Sequence, residues 1–265
     1  QQSTRRNKGK PSDFAVMYRT NAQSRLLEEA FRREGINYRL VGAQRFYGRR
    51  EVKDMIAYLR LIYNPKDEVS LRRVINLPPR GIGEKTLEKL AELARTSDLT
   101  LGEAVLRLSE PNNAELLTAL GREGARLEQF GRKLAQWRHV AENNPPVILF
   151  DRVIEDTGYQ TYIQDNSEEG QDRWENVLEL RQVVMEYAAL PEFLEAMALV
   201  ADQDTLPETV DTPTLLTLHA AKGLEFEHVF ITGLDEMLLP HSRSRDDPEA
   251  LEEERRLLYV GITRA

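Results

Sequence analysis

Toward the carboxyl end of this 265-residue chain, the string Thr217-Leu218-His219-Ala220-Ala221-Lys222-Gly223-Leu224-Glu225-Phe226 sets a histidine, a lysine, a glycine and a carboxylate close together. The final string, Val260-Gly261-Ile262-Thr263-Arg264-Ala265, adds a guanidinium. Gly223 lets the backbone turn or approach a ligand closely, Glu225 can accept hydrogen bonds from ribose hydroxyls, and His219 and Lys222 can face phosphates. A planar cation such as Arg264 suits the charge that develops on a transferring γ-phosphoryl group, and such a finger speeds transfer by ~10³ or more. Each feature has a plainer reading beside this one. The first string is equally a Gly-terminated loop with surface charges, and an arginine at a helix end is commonly just solvated.

Such groups need elements to position them. Phe14–Tyr18, followed by Arg19-Thr20-Asn21, reads as strand, loop and helix, with Thr20 or Asn21 as the cap, Leu26, Leu27, Ala30 and Phe31 on one face, and Gly35 as the stop. Asn37–Val41 reads as a second strand, joined to the first by a right-handed parallel crossover. From about Tyr47 to Asp204 apolar residues recur at helical spacing: Met55, Ile56, Leu59 and Ile62, then Leu87, Leu90, Ala91 and Ala94. Later helices are expected over Leu116–Val140, Val147–Thr157, Trp174–Tyr187 and Glu192–Val200, with turns at Pro111–Asn113, Asn144–Pro146 and Pro191. After Leu206–Pro213 the strand signal returns at Thr214–Leu218 and Val229–Thr232, both apolar as buried parallel strands are. Asp246-Asp247-Pro248 then opens a helix in which Glu252 and Arg256 are spaced for an i,i+4 pair. The expected architecture is an α/β parallel-sheet domain made from both ends of the chain and interrupted by a mostly α-helical insertion. In such a sheet ligands collect beyond the strands' carboxyl ends, where His219–Glu225 falls.

Composition bounds the class. With 41% hydrophobic and 30% charged residues and no 18-residue apolar run, the reading is no membrane span. The absence of cysteine excludes disulfides and thiolate metal sites, no signal segment opens the chain, and a cytoplasmic home is expected. The net charge of −8 argues mildly against a polyanion partner, but its distribution is uneven. Basic residues bunch at Arg5–Lys10, at Arg32, Arg33 and Arg39, at Arg45, Arg49, Arg50 and Lys53, and at Arg72, Arg73 and Arg80, whereas acid gathers in Glu168–Asp172 and Asp246–Glu254. Any one cluster reads by default as a solvated face. Gln1–Ser12, polar and aperiodic, reads as a linker or frayed start.

TLHAAKGLEF and EEERRLLYVGITRA resemble motifs V and VI of the superfamily 1 DNA helicases of the UvrD/PcrA/Rep group, and VMYRTNAQSR, RFYGRREVKD and PPRGIGEKT precede them in the matching order. The resemblance covers the chain from about Asp13 onward. It implies a second RecA-like motor domain, incomplete and discontinuous, over about 1–46 and 208–265, with an accessory domain inserted at about 47–207. By the same resemblance Glu225 contacts the nucleotide sugar, Arg264 is the γ-phosphate finger, and Lys222, with Gly223, couples the nucleotide cleft to the DNA channel. His219, Arg19, Asn21 and Arg45 lie along a single-stranded DNA track. Arg80, Gly81, Ile82, Gly83 and Thr86 meet duplex DNA ahead of the fork. Glycines before a helix can also offer N–H groups to a phosphate in their own right, though Pro78-Pro79 before them equally suits an ordinary helix start.

No Gly-x4-Gly-Lys-Ser/Thr loop occurs, and Gly42 and Gly48 have the wrong spacing for one. Asp235-Glu236 imitates a magnesium-binding pair but reads as a solvated turn. The resemblance assigns ATP and Mg2+ mainly to an N-terminal motor half, so the chain alone is expected to hydrolyse nothing and to hold no metal of its own. The implied activity is an ATP-dependent DNA helicase or translocase, 3′ to 5′, in DNA repair, with single-stranded and duplex DNA, the N-terminal half and DNA repair proteins as partners. The rival reading is a non-enzymatic DNA-junction or repair-partner binding module. Arg173 and Asn176 fit a family pattern without demanding a ligand, and Trp137, Trp174 and Phe193 read as core.

Overall fold

A computed structural model describes residues 9–111, 113–121, 124–203 and 211–265. Arg5, Arg6 and Lys8 of the first basic cluster, Asn112 of an expected turn, and residues 206–210 of the stretch before the returning strands lie outside the described residues. The chain divides into two compact units, Gln1–Arg49 with Gln203–Ala265, and Arg50–Asp202.

In the first unit, β1 (Phe14–Tyr18) leads through a short 3-10 turn to α1 (Ser24–Arg33) and then to β2 (Arg39–Val41). The chain returns as β3 (Thr214–Thr217) and β4 (His228–Ile231). All pairings are parallel and the order is β2-β3-β1-β4, so the late strand β3 inserts between the two early ones. Tyr18 stands opposite Thr217, and Met17 opposite Ile231, which brings the carboxyl ends of β1, β3 and β4 to one edge. Ala15, Met17, Leu216, Leu218, Ala221, Leu239 and Leu257 form the buried core.

α1 corrects the expected apolar face. Leu26 is 61% exposed, and the buried residues are Ser24, Arg25 and Glu28. The reason is a polar network: the Glu28 carboxylate accepts from Ser24 Oγ at 2.6 Å, Tyr38 Oη at 3.1 Å and Phe46 N at 3.3 Å, while Arg49 Nη2 donates to Ser24 Oγ at 2.7 Å. Burial pushes the Glu28 carboxyl above its usual range, against the Ser24 hydrogen bond and the Arg49 charge. A helix docked by hydrogen bonds has no need of an apolar stripe.

The second unit is helical: α2 (Arg50–Tyr63), α3 (Glu68–Val74), α4 (Glu84–Thr96), α5 (Leu101–Arg107), α6 (Ala114–Leu120), α7 (Gly124–Asn143), α8 (Pro146–Thr157), α9 (Tyr159–Ile163), α10 (Glu168–Met185) and α11 (Leu190–Gln203). The single helix expected over Leu116–Val140 is two, because Gly121 takes φ +66° and ends α6, a conformation unfavourable to residues with a Cβ. Trp137, Tyr58 and Phe130 meet edge to face in the core, and Phe193 is also fully buried.

The chain's last helix, α12 (Pro248–Ile262), starts where Asp247 accepts hydrogen bonds from Glu249 N and Ala250 N, so two of its first amide donors are capped. Among the described residues Glu252 does not pair with Arg256 as expected. Arg255 instead pairs with Glu252 at 2.7 Å and Arg256 with Glu253 at 3.0 Å, both i,i+3. On an exposed face the two spacings differ by only a few tenths of a kcal/mol, so rotamer detail decides. Among the described residues no helix is long and apolar enough to cross a membrane.

Candidate functional site

The loop after β3 is shaped by alternating burial. Leu218 and Ala221 are fully buried, whereas His219, Lys222, Gly223 and Glu225 are exposed. Leu218 N continues the ladder by donating to Tyr18 O at 2.8 Å, Ala221 N donates to Thr217 O at 3.2 Å, and Leu224 N to Ala221 O at 3.1 Å. The apolar residues therefore clamp the loop to the sheet and leave its chemical groups outward. Gly223 takes φ +85° with open space around it, so its conformation, and no neighbour, demands glycine.

Arg264 meets this loop from the end of α12. Its Nη1 donates to Leu224 O at 3.4 Å, Nε to Val260 O at 3.1 Å and Nη2 to Thr263 Oγ1 at 3.2 Å. Its own carbonyl accepts from Phe226 N at 2.9 Å. The half-buried guanidinium is thus steadied by neutral oxygens and pairs with no carboxylate among the described residues. Its charge is uncompensated, beside an exposed Glu225. Close packing sets the approach: a Cβ on Gly261 would lie 2.4 Å from Leu218 Cδ2 and 3.1 Å from Ile231 Cδ1.

The groups expected along the single-stranded DNA track take three different settings. Arg19, expected among DNA-facing cations, is 21% exposed and held by Glu254 of α12, itself 5% exposed: Nε reaches both carboxylate oxygens at 3.0 Å and Nη2 reaches Oε1 at 2.7 Å. Glu254 also accepts from His241 N at 3.2 Å and Ser244 Oγ at 3.3 Å. Burial raises this carboxyl, but the Arg19 hydrogen bonds and charge, with His241 and Ser244, outweigh that and hold it below the usual carboxylate range. Asn21 opens the 3-10 turn, and its Oδ1 is buried without a hydrogen bond among the described residues. Arg45 lies over the Tyr38 ring, 5.5 Å from its centroid.

In the helical unit the Arg80–Thr86 segment is a built turn. Asn76 Oδ1 accepts from Arg80 N at 2.7 Å and Ile82 N at 3.1 Å, Ile82 is buried, and Gly83 caps α4. Gly81 takes φ +69°, and its carbonyl accepts from Arg126 Nη1 at 2.8 Å. Thr86 is buried, its N–H donating to Gly83 O at 3.0 Å. The Arg80 guanidinium turns inward, donating to Val74 O, Ile75 O and Leu77 O at 2.9, 3.1 and 2.9 Å and to Tyr58 Oη at 2.8 Å, over the Phe130 ring. Carbonyls at and just beyond the end of α3 have lone pairs that the guanidinium fills.

Asn176 is buried and donates to Glu51 Oε1 at 2.5 Å, whereas Arg173 pairs loosely with Asp165 and Glu169 at 3.7 Å. Asp235 and Glu236 are exposed, with Asp235 O accepting two turn hydrogen bonds. Among the described residues no three His, Asp or Glu side chains cluster for a metal. Sequence reading missed Gln23, whose Oε1 accepts from Arg19 N and Thr20 N at 2.8 and 3.0 Å. Its Thr-x-x-Gln spacing was the available signal. It also missed Glu254, hidden among three successive glutamates.

A family profile described as the UvrD-like helicase C-terminal domain matches residues 1–265. The chain is 39% identical over 271 residues to the ATP-dependent DNA helicase PcrA of Bacillus subtilis (strain 168), covering 97% of this chain and 36% of that protein. It is 39% identical over 269 residues to DNA helicase II of Escherichia coli (strain K12), covering 98% and 37%. A PcrA of Staphylococcus aureus (strain Mu50 / ATCC 700699) is likewise 39% identical, over 98% of this chain and 36% of its own length. The chain therefore spans about a third of the length of these relatives.

Proposed function

Because this chain belongs to the UvrD-like helicase C-terminal domain family, we propose that it supplies one motor half of an ATP-dependent DNA helicase or translocase, working against a phosphate-loop half that grips ATP and its Mg2+. The observation that carries this reading is the uncompensated Arg264 guanidinium, fixed to the carbonyl beside exposed Glu225. A cation kept from internal carboxylates is free to meet a γ-phosphate, and neutral hydrogen bonds hold it without cancelling its charge. Glu225 accepts from the ribose hydroxyls, and Lys222 and Gly223 link the nucleotide to the DNA side. These groups fit ATP by chemistry: an unpaired cation for the phosphate and an exposed acceptor for the sugar.

Single-stranded DNA passes His219, Asn21 and Arg45 beyond the strands' carboxyl ends. Arg19 serves this track by bracing the turn, since its guanidinium is occupied by Glu254. In the Arg80–Thr86 segment the N–H groups of Gly81 and Gly83 meet duplex DNA, in a turn that Arg80, Ile82 and Thr86 shape. Movement from 3′ to 5′, a role in DNA repair with repair proteins as partners, and a cytoplasmic setting belong to the same reading. The passive junction-binding alternative loses ground to the helicase names of the relatives.

The test is reconstitution. This chain mixed with, or fused to, a phosphate-loop half should give ATP hydrolysis stimulated by single-stranded DNA, while the chain alone gives none. A properly folded assembly that binds DNA yet never turns over ATP would sink the proposal.

A further inference from the structure

Of three successive glutamates in α12, Glu252 and Glu253 pair with Arg255 and Arg256 on the outer face, and only Glu254 is buried. Its position is specific. Glu254, Leu257 and Gly261 are the buried residues of α12, spaced three and four apart on one face, and Arg264 follows at the same interval. Glu254 and the helix's last residue, Ile262, are about 12 Å apart along the axis at about 1.5 Å rise per residue, and Arg264 follows the helix end.

The helix is held in its middle by Leu257, buried in the core, and toward its two ends by holds of different kind. Near Arg264 the hold is steric, with bare Gly261 seated against Leu218 and Ile231. Near its start the hold is polar, and Glu254 is its centre. The carboxylate gathers Arg19 from the end of β1, and His241 N and Ser244 Oγ from the 3-10 turn before the helix. Arg19 is anchored in turn through its own N–H, which donates to Gln23 Oε1. A planar guanidinium met by both carboxylate oxygens fixes direction as well as distance, which a lysine or a single hydrogen bond does not.

We propose that Glu254 is a positioning residue for phosphoryl transfer, acting through its bidentate bond to Arg19 to set where α12 delivers the Arg264 guanidinium. The inference rests on the finger reading of Arg264. Glu254 touches neither nucleotide nor DNA. Removing its charge leaves the start of α12 to tilt on its Leu257 and Gly261 contacts, and at a finger an error of about 1 Å costs on the order of 10²-fold in rate. The same bond joins the segment leading into the turn that carries Asn21 to the helix that precedes Arg264.

The experiment is a kinetic double-variant cycle in the assembled motor, this segment with its phosphate-loop half. Glu254→Gln should lower DNA-stimulated kcat by roughly 10- to 100-fold, with the KM for ATP changed less than about threefold. Arg264→Lys should be slow as well, and the double variant should be no slower than Arg264→Lys alone, since both act at one point. Multiplied losses in the double variant would overturn the role, because a generally loosened fold adds its effect independently. If Glu254→Gln does not fold, Arg19→Lys takes its place with the same expected pattern. A normal rate for Glu254→Gln beside a slow Arg264→Lys sinks the positioning role alone. A normal rate for Arg264→Lys and for Arg264→Ala sinks the finger reading, and this inference with it.

Discussion

Arg264 brackets Glu225 from both sides: its side chain donates to Leu224 O at 3.4 Å, and its carbonyl accepts from Phe226 N at 2.9 Å. Two strings separated by more than thirty residues of sequence are thereby one object, and a change at either end is felt at the other.

In the assembled motor Arg264→Ala should reduce ATP hydrolysis by ~10³-fold while leaving DNA affinity within about threefold of the parent. Steady-state turnover and a DNA titration check this. Equal losses in both would mean that the loop around Glu225 had collapsed and that the cation had no separate role.

Gly261→Ala drives a methyl group to 2.4 Å from Leu218 Cδ2, so the helix must shift or Leu218 must repack. The expected cost is about 1–3 kcal/mol, read by urea unfolding of the chain. Turnover in the assembled motor should fall further than stability does, because the displaced helix carries the finger.

Arg80→Ala discriminates two roles. With its guanidinium spread over three carbonyls and the Tyr58 hydroxyl, the substitution should destabilise the helical unit by about 2–3 kcal/mol, seen in urea unfolding. A phosphate contact would instead lower the salt dependence of DNA binding by about one unit of slope with stability unchanged. That second pattern would contradict the inward placement.

Acid should loosen the sheet unit through Glu254. Its folded pKa is depressed below the ordinary 4.5, so the Arg19 pair contributes stability above that value and loses it as pH falls through the folded pKa. Thermal unfolding followed from pH 6 down to pH 3 should show this loss, and Glu254→Gln should flatten it. Glu28 works with the opposite sign: its raised pKa means that stability is lost as pH climbs from about 4.5 through the folded value. An acid limb identical in Glu254→Gln and parent would contradict the assignment.

Much of the molecule was legible in the residues alone, and for a local reason. An apolar run such as Phe14–Tyr18 or Thr214–Thr217 and the helical spacing of Met55, Leu59 and Ile62 are decided by burial and sterics over a few neighbours. The strings around Glu225 and Arg264 carry their chemistry in residue type and spacing, so the candidate nucleotide groups could be named before any fold was known. What tertiary structure decided were partnerships between distant segments. β3 inserts between β1 and β2 from 175 residues beyond β2, counting Arg39 against Thr214. Arg19 finds Glu254 across a separation of 235 residues, and Arg80 turns from solvent to the carbonyls of α3. A cation looks the same in sequence whether it will face a phosphate or a buried carboxylate. Only the closing of the chain, which sets the desolvation cost and the partners within reach, chooses between them.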